Sequence, residues 1–339
     1  MVTSTSAIDW LEPQTHDLAL RDFRFHTGEV MPRLRMRVTA LGNPEGAPVL
    51  VLHGTGSEGR TLLNDDFAGA LFGPGQALDA ARHRIVLPDA IGHGGSAKPS
   101  DGLRAAFPAY DYDDIVDAHH RLLIEVLGIE RLRLVLGVSM GGMLTWTWGV
   151  RYPSFMDALV PLASLPAPMS GRNWLLRRLV IDAIRNDPDW RDGHYDMQPR
   201  SARAAREFFD LATNGGTLAL QKAAPTRGEA DRWLAARREA TVPFDANDLL
   251  YQFQAARSYD PSAQLHRIRA PVLAINSDDD ERNPPETMIA ANAMARLPNA
   301  RLHVVRGSDG TRGHGTVGLA GLWAAELDSF LASALPIRA

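Results

Sequence analysis

The chain has 339 residues, a length that suits one large α/β domain or two modest ones, because single hydrophobic cores stop growing at roughly 250–300 residues. Hydrophobic residues make up 45% of the chain and charged residues 22%, which excludes disordered, collagen-like and coiled-coil classes. The formal net charge of −4 predicts that neither nucleic acid nor a membrane is a partner, and the absence of cysteine excludes thiolate nucleophiles and Cys-type metal sites.

Targeting signals and membrane spans are not visible in the sequence. Residues 1–10 contain no cationic stretch followed by an apolar run, and no window reaches about 18 uninterrupted apolar residues. We therefore expect a cytoplasmic protein.

In chain order, short apolar runs alternate with segments of helical period, which is typical of a parallel sheet covered by helices. The predicted strands are residues 47–52, 84–87, 132–136, 158–162, 271–276 and 301–305. The predicted helices are residues 113–127, 142–151, 285–297 and 319–331. The first helix places Ile115, Ala118, Leu122 and Val126 at helical spacing and has acidic residues in its first turn. The sequence thus predicts an α/β fold with at least six strands.

The stretch between the fourth and fifth predicted strands differs in composition from the rest. Residues 166–262 are rich in Arg, Ala, Trp and Asp and contain no convincing strand, whereas sheet and helices resume after them. We interpret them as an inserted helical lid that divides a single α/β core into residues 30–165 and 263–335.

The strand at residues 132–136 runs directly into Gly137-Val138-Ser139-Met140-Gly141, which precedes a predicted helix. The pattern G-x-S-x-G in a strand–turn–helix context is typical of a serine nucleophile, because small flanking residues allow the tight turn that projects the hydroxyl. Ser139 is therefore the predicted nucleophile. The alternative is an ordinary glycine-rich turn with an incidental serine.

A serine hydroxyl needs a base, and in this pattern an acidic residue and then a histidine follow the serine along the chain. The strand at residues 271–276 ends in a loop that contains Asp278, Asp279 and Asp280. The spacing before a proline-initiated helix favours Asp280 as the residue that orients the histidine, and Asp278 is the alternative. The aspartates without this role fit a solvated acidic loop.

Two histidines, His303 and His314, follow Asp280 in the chain. His303 lies inside an alternating strand, whereas His314 lies in a loop, flanked by Gly313 and Gly315, 34 residues (314 − 280) after the aspartate. A flexible loop of this kind allows the imidazole to reach Ser139. We predict that His314 is the general base; otherwise it is a solvent-exposed loop histidine.

Acyl transfer through a serine also requires two N–H groups that stabilise the oxyanion. The residue after the nucleophile, Met140, supplies the first. The loop His53-Gly54-Thr55-Gly56 follows the strand at residues 47–52, so the backbone N–H of Thr55, or of Gly56, is the second candidate.

Residues 54–59 also match the dinucleotide-binding pattern G-x-G-x-x-G. That reading requires an acidic residue about 20 positions further on, whereas Asp89 lies 30 residues (89 − 59) beyond the last glycine. A Rossmann oxidoreductase is therefore the weaker alternative. Because the usual metal and nucleotide motifs are also absent from the sequence, we expect neither a metal nor a cofactor.

The order Ser139, Asp280, His314, the H-G-x loop and the sequence of residues 89–96 together resemble the α/β-hydrolase superfamily, over about residues 30–335. Residues 139–143, residues 187–195 and the Pro-Pro-Glu that follows Asp280 are similar to the homoserine O-acetyltransferase group within it. The resemblance implies an α/β-hydrolase fold with a helical lid, an acyl-serine intermediate formed by ping-pong, a tunnel to the serine and, often, a homodimer.

Two departures from the transferase pattern bear on the acceptor. Residues 92–99 read like the corresponding segment of simple ester hydrolases, and the Tyr/Arg motif expected near residues 212–216 is missing. These departures favour water as the acceptor, and hence a hydrolase that acts on a small-molecule acyl ester. The alternatives are an O-acetyltransferase that uses acetyl-CoA and a non-catalytic ligand-binding member of the fold.

Overall fold

A computed structural model describes residues 12–213, 215–239 and 244–334. The strands in these residues are β1 (Gln14–Arg24), β2 (Val30–Gly42), β3 (Ala47–Leu52), β4 (His83–Pro88), β5 (Leu134–Val138), β6 (Leu159–Leu162), β7 (Val272–Ser277) and β8 (Ala300–Val305). The last six agree with the six predicted strands to within two residues at each end. The hairpin of β1 and β2 was not predicted.

The α-helices in the same residues are α1 (Ala68–Leu71), α2 (Tyr112–Arg121), α3 (Met140–Arg151), α4 (Gly171–Arg185), α5 (Arg200–Thr213), α6 (Thr217–Ala223), α7 (Arg227–Glu239), α8 (Ala246–Gln254), α9 (Ile289–Met294) and α10 (Ala324–Ala334). The helix predicted at residues 285–297 is shorter than expected, because Met288 adopts a left-handed conformation (φ 57°) and ends the first turn. No helix in the described part of the chain is both long and apolar enough to span a bilayer.

One sheet organises the molecule, with the strand order β1-β2-β4-β3-β5-β6-β7-β8. The strands from β4 to β8 pair in parallel, whereas β1 and β2 join the edge in antiparallel orientation. The predicted α/β fold with a mostly parallel sheet is confirmed. Parallel strands have their carboxyl ends on the same side of a sheet. The loops that follow β3, β5, β7 and β8 therefore meet on that side.

Helices cover both faces of the sheet, as the continuous apolar strands require. Alternate residues of β3 serve opposite faces: Leu50 packs into one core and Val51 into the other. The first core contains the fully buried Trp146 and Trp148 of α3, and the second contains Trp323.

The helices α4 to α8 lie between β6 and β7 and are called the inserted helices below. They have a small core of their own, formed by apolar residues from α4, α5 and α8 such as Ile184, Phe209 and Phe253. The described residues of this stretch contain no strand, which agrees with the helical composition seen in the sequence.

Candidate active site

Ser139 lies at the turn between β5 and α3. Its φ of 58° and ψ of −110° are rarely adopted by a residue with a side chain. Two backbone hydrogen bonds of 2.9 Å hold this conformation: Ser139 N–H donates to Leu162 O on β6, and Met143 N–H in α3 donates to Ser139 O. The strained turn therefore fixes the direction in which the hydroxyl projects.

The sharp turn depends on glycine at two positions where the backbones of helix and strand approach closely. A Cβ atom at Gly141 would lie 2.2 Å from Leu52 O of β3, and one at Gly137 would lie 2.1 Å from Gly141 O. Real Cβ atoms do not approach oxygen so closely. The small residues that flank Ser139 thus allow α3 to start directly against β3 and β5.

The three side chains predicted from the sequence form a continuous hydrogen-bonded chain. Ser139 Oγ lies 2.7 Å from His314 Nε2, and His314 Nδ1 lies 2.8 Å from Asp280 Oδ2. All three are buried, with exposed fractions of 7%, 6% and 2%. The loops after β5, β7 and β8 bring them together from positions up to 175 residues apart.

The three consecutive aspartates after β7 have different partners. Asp280 accepts hydrogen bonds from His314, from Arg282 N–H (2.8 Å) and from the Asn283 side chain (2.8 Å). Asp278, the alternative considered above, instead accepts a hydrogen bond from Gly307 N–H. Only Asp280 of the three reaches His314.

Asp279 supports the loop that carries His314. Its Oδ2 accepts hydrogen bonds from the Thr311 hydroxyl (2.6 Å) and from Gly313 N–H (3.2 Å), while Ser277 donates to its other oxygen. Asp278 is exposed, as expected for a solvated acidic loop, whereas Asp279 is half-buried. Through these hydrogen bonds both aspartates anchor the segment that leads into His314.

The electrostatics of the site suit proton transfer from Ser139. Burial lowers the pKa of His314 below its ordinary value, against the opposing effect of Asp280, and Arg282 and Arg177 lower it further. Burial alone would raise the pKa of Asp280, but His314, Asn283 and Arg282 N–H together hold it below its usual value. At neutral pH the pair consists of a carboxylate and a neutral imidazole, which can accept a proton.

The two predicted oxyanion donors lie beside Ser139. Met140 is the first residue of α3, and the loop that contains Thr55 is close enough that a Cβ at Gly54 would lie 3.5 Å from Ser139 Cβ. The backbone hydrogen bonds of the described residues include none donated by Met140 or Thr55. His53 braces this loop, because its Nδ1 contacts Gly54 O (2.8 Å) and its Nε2 accepts from Ala90 N–H (3.0 Å).

The structure argues against the dinucleotide reading of residues 54–59. A one-turn 3-10 helix, Gly59–Leu62, follows the glycines in place of the long helix that would hold a pyrophosphate. Asp89 is already engaged, since its carboxylate accepts from Gly59 N–H and Gly95 N–H, each at 2.8 Å. It therefore fixes two loops of the protein itself.

Sequence reasoning missed Asn283, Arg177 and Arg282. Asn283 hydrogen bonds to Asp280 and lies three residues after it, a spacing that a loop of unknown conformation does not reveal. Arg177 and Arg282 are buried near the site although both belong to polar segments. An arginine-rich helix in the sequence gives no sign of which guanidinium faces inward.

A potential metal-ligand cluster consists of residues other than the predicted site residues. The ligand atoms of His26, Asp111 and Asp114 lie within 4.8 Å of one another. Asp111 and Asp114 form the capping box of α2, and His26 contacts Asp114 through both its backbone N–H and its ring. These contacts account for the cluster structurally.

The comparison with protein-family models gives a match to the alpha/beta hydrolase fold over residues 47–309, most of the chain. The chain belongs to the α/β-hydrolase family. A homoserine O-acetyltransferase from Pelobacter propionicus is 31% identical to it over 300 residues, which cover 77% of this chain and 80% of that protein. The similarity to the homoserine O-acetyltransferase group inferred from the sequence is thus confirmed.

Solved structures show the same architecture. The acetyl esterase MekB has a TM-score of 0.81 and 23% identity, with coverage of 94% of this chain and 97% of its own. The homoserine O-acetyltransferase from Bacillus anthracis has a TM-score of 0.78 and 19% identity, with the same coverages. Esterases and acetyltransferases therefore share this fold, and the α/β-hydrolase described here is an enzyme of the hydrolase or acyltransferase class.

Proposed function

We propose that the protein hydrolyses a small-molecule acyl ester through a covalent acyl-serine. The observation that carries the proposal is the buried chain of hydrogen bonds from Ser139 through His314 to Asp280. A nucleophile, its base, an orienting carboxylate and donors that stabilise the oxyanion are sufficient to form an acyl-enzyme.

In this mechanism His314 takes the proton of Ser139 as Oγ attacks the ester carbonyl carbon. Asp280 holds the imidazole in place and stabilises the imidazolium, and the N–H groups of Met140 and Thr55 stabilise the oxyanion. Collapse of the tetrahedral intermediate breaks the bond to the alcohol, which leaves with the proton from His314. Water, activated by the same histidine, then releases the acid and restores Ser139.

We also propose that the inserted helices act as a lid and belong to a separate unit, residues 166–262, between core segments 30–165 and 263–335. Their contacts with the loops of the site support this role. Arg172 of α4 pairs with Glu281 beside Asp280, and Gly215 N–H donates to Arg312 O (3.0 Å) beside His314. A lid attached at these points would govern access to the serine.

The second candidate is an O-acetyltransferase that uses acetyl-CoA, which the similarity to homoserine O-acetyltransferases favours. The two functions share the acyl-serine and differ in the acceptor. Water is the acceptor that we favour, because residues 92–99 and residues 212–216 depart from the transferase pattern in sequence.

The test uses hydrolysis of p-nitrophenyl acetate and labelling of the protein by a fluorophosphonate, followed by intact mass. We expect Ser139→Ala to abolish labelling and to lower kcat by about 10³-fold or more. Ser333→Ala, which removes a serine hydroxyl of α10, is the control and should behave as the wild type. Equal activity of the two variants would refute the role of Ser139.

Acetyl-CoA with and without homoserine separates the two candidate acceptors. If homoserine accelerates the release of CoA, the protein is an acetyltransferase. If the ester is hydrolysed at the same rate with and without an added alcohol or amino acid, the result supports the hydrolase.

A further inference from the structure

A buried arginine lies next to the proposed oxyanion site. Arg177 of α4 is only 1% exposed, and its side-chain hydrogen bonds go to neutral acceptors: Nε donates to Asn173 Oδ1 (3.1 Å) and Nη2 to Thr55 Oγ1 (3.4 Å). Its guanidinium carbon lies 5.2 Å from the ring centroid of Phe253. These contacts hold the guanidinium in position but do not balance its charge.

The remaining nitrogen, Nη1, has no hydrogen-bond partner among the described residues, and the ion pairs of those residues include none made by Arg177. The buried hydroxyl of Tyr112 lies close to the side chains of Arg177 and Thr55, which hold the pKa of Tyr112 lower than burial alone would set it. A buried guanidinium without an anion is costly, because the charge has lost its hydration. Arg177 Nη1 is therefore a buried donor that is available to an anionic group from outside the chain.

A second arginine increases the positive charge. Arg282 is 8% exposed, and burial and the proximity of Arg177 lower its pKa to about 9, so it remains protonated at neutral pH. The nearby carboxylate of Asp280 is already engaged by His314 and Asn283. Asp210 is a second carboxylate that acts on Arg282, so the guanidinium that an anion from outside the chain would neutralise is that of Arg177.

Arg177 lies beside the loop that contains a proposed oxyanion donor. Arg177 contacts the side chain of Thr55, whose backbone N–H is a proposed oxyanion donor, and Arg177 and Arg282 both lower the pKa of His314. A charged group bound by Arg177 would therefore lie near the oxyanion loop, which fits a substrate in which only a few bonds separate the ester from its charged group.

We propose that Arg177, with Tyr112, binds a carboxylate carried by the substrate, so that the enzyme prefers short esters with a carboxylate close to the scissile bond. A carboxylate matches the planar donors of a guanidinium and supplies the missing negative charge. The inference rests on the proposed ester hydrolysis and narrows its substrate class. The carboxylate can belong to the acyl group or to the alcohol, and the experiment distinguishes the two.

Two pairs of esters test the preference in a pH-stat assay at pH 7.5. Monomethyl succinate carries the carboxylate on the acyl side, and methyl succinamate is its neutral counterpart. On the alcohol side the pair is 3-acetoxypropanoate and 3-acetoxypropanamide. We expect kcat/KM to favour the carboxylate in one pair by roughly 10- to 100-fold. Equal rates within both pairs would overturn the inference.

Variants assign the preference to Arg177. Arg177→Met should lower the ratio of the two kcat/KM values in the preferred pair by at least about 10-fold, because the apolar chain still packs on Phe253 but has no charge. Arg177→Lys keeps the charge and should recover part of the ratio. The control is Arg178→Met, since Arg178 lies next along α4, is exposed and pairs with Asp182. A ratio unchanged by Arg177→Met, or reduced as much by Arg178→Met, contradicts the proposal.

Binding measured without turnover separates this inference from the proposed function. Calorimetric titration of Ser139→Ala with the preferred carboxylate ester should show binding that Arg177→Met in the same background weakens. If the wild type is labelled by the fluorophosphonate and hydrolyses neutral esters but neither prefers nor binds a carboxylate, this inference alone fails. If labelling and hydrolysis of every ester are absent, the proposed hydrolysis fails and the substrate preference fails with it.

Discussion

Ser139 and His314 carry the chemistry that we propose. The backbone conformation of Ser139 and the protonation state of His314 are both set by the surrounding residues. A left-handed backbone at a non-glycine residue costs of the order of 1–3 kcal/mol, which the hydrogen bonds of Ser139 to β6 and α3 offset. His314 is kept neutral by burial and by two nearby guanidinium groups, in spite of Asp280. The residue that must accept a proton is thus already deprotonated at neutral pH.

The lowered pKa of His314 sets the acid limb of the activity. The base works only when neutral, so kcat/KM for a neutral ester should fall as the pH drops through the pKa of His314 in the free enzyme. Because that pKa lies below the ordinary value of 6.5, we expect the midpoint of the fall below pH 6.5.

The measurement is a profile of kcat/KM between pH 4 and 9, with circular dichroism at each pH to show that the protein remains folded. A midpoint clearly above pH 6.5 in folded protein would contradict the electrostatic account.

At the scale of elements, the start of α3 is the feature on which the site depends. The first turn of the helix lies against β3 because Gly141 leaves room for Leu52 O. The strain of Ser139 and the position of the Met140 N–H both follow from this contact. The distance between a helix and a strand therefore determines the geometry of the nucleophile.

Replacement of Gly141 by alanine should destabilise the protein by about 3 kcal/mol, because the new Cβ would overlap a backbone oxygen that cannot move freely. The free energy of unfolding in urea measures the effect. The matched control is Gly321→Ala, where nothing lies within 4 Å of the new Cβ and a change of no more than about 0.5 kcal/mol is expected. Similar unfolding free energies for the two variants would show that the close approach is not required.

The elements themselves were predicted unevenly from the sequence. The six apolar strands stand out because both faces of the sheet are buried and the strands are continuous apolar runs. The hairpin of β1 and β2 was not predicted, because most residues of β1 are exposed and its sequence is largely polar. The helix predicted after Pro285 is short because Met288 adopts a left-handed conformation that interrupts it. The conformational preferences of methionine do not predict this conformation.

At the scale of the molecule, α8 joins the inserted helices to the core. Asp248 accepts hydrogen bonds from Ser100 N–H (2.8 Å) and the Ser100 hydroxyl (2.6 Å), and Gln252 donates to Gly92 O (2.7 Å). Burial raises the pKa of Asp248 to about 6, while the bonds from Ser100 oppose the rise. The contact between the two parts of the molecule therefore contains a carboxylate that is costly to ionise.

Asp248→Asn should stabilise the protein above pH 7. The pKa is raised in the folded state, so the folded protein binds more protons than the unfolded chain between about pH 4 and 6, and wild-type stability falls as the pH rises through this window. The amide avoids that loss, which amounts to at most about 3 kcal/mol for a shift of roughly two pH units.

Urea unfolding at pH 4.5 and pH 8 compares Asp248→Asn with Asp231→Asn, which makes the same change at an exposed position of α7. The stabilisation by Asp248→Asn should appear at pH 8 and largely disappear at pH 4.5. An equal effect at both pH values would exclude ionisation of Asp248 as its cause.

The sequence by itself determined the strand–turn–helix around Ser139, the chain order of the acidic residue and the histidine, and the lack of strands in the described part of residues 166–262. These are local properties, set by apolar periodicity and by the small residues of one turn. The spacing along the sequence also favoured Asp280 over Asp278. The hydrogen bond of Asp280 to His314, the support of the His314 loop by Asp279 and the burial of Arg177 against Thr55 were decided only in the tertiary structure. They depend on where separate loops meet and which side chains lose water, and neither is encoded in the spacing of residues along the chain.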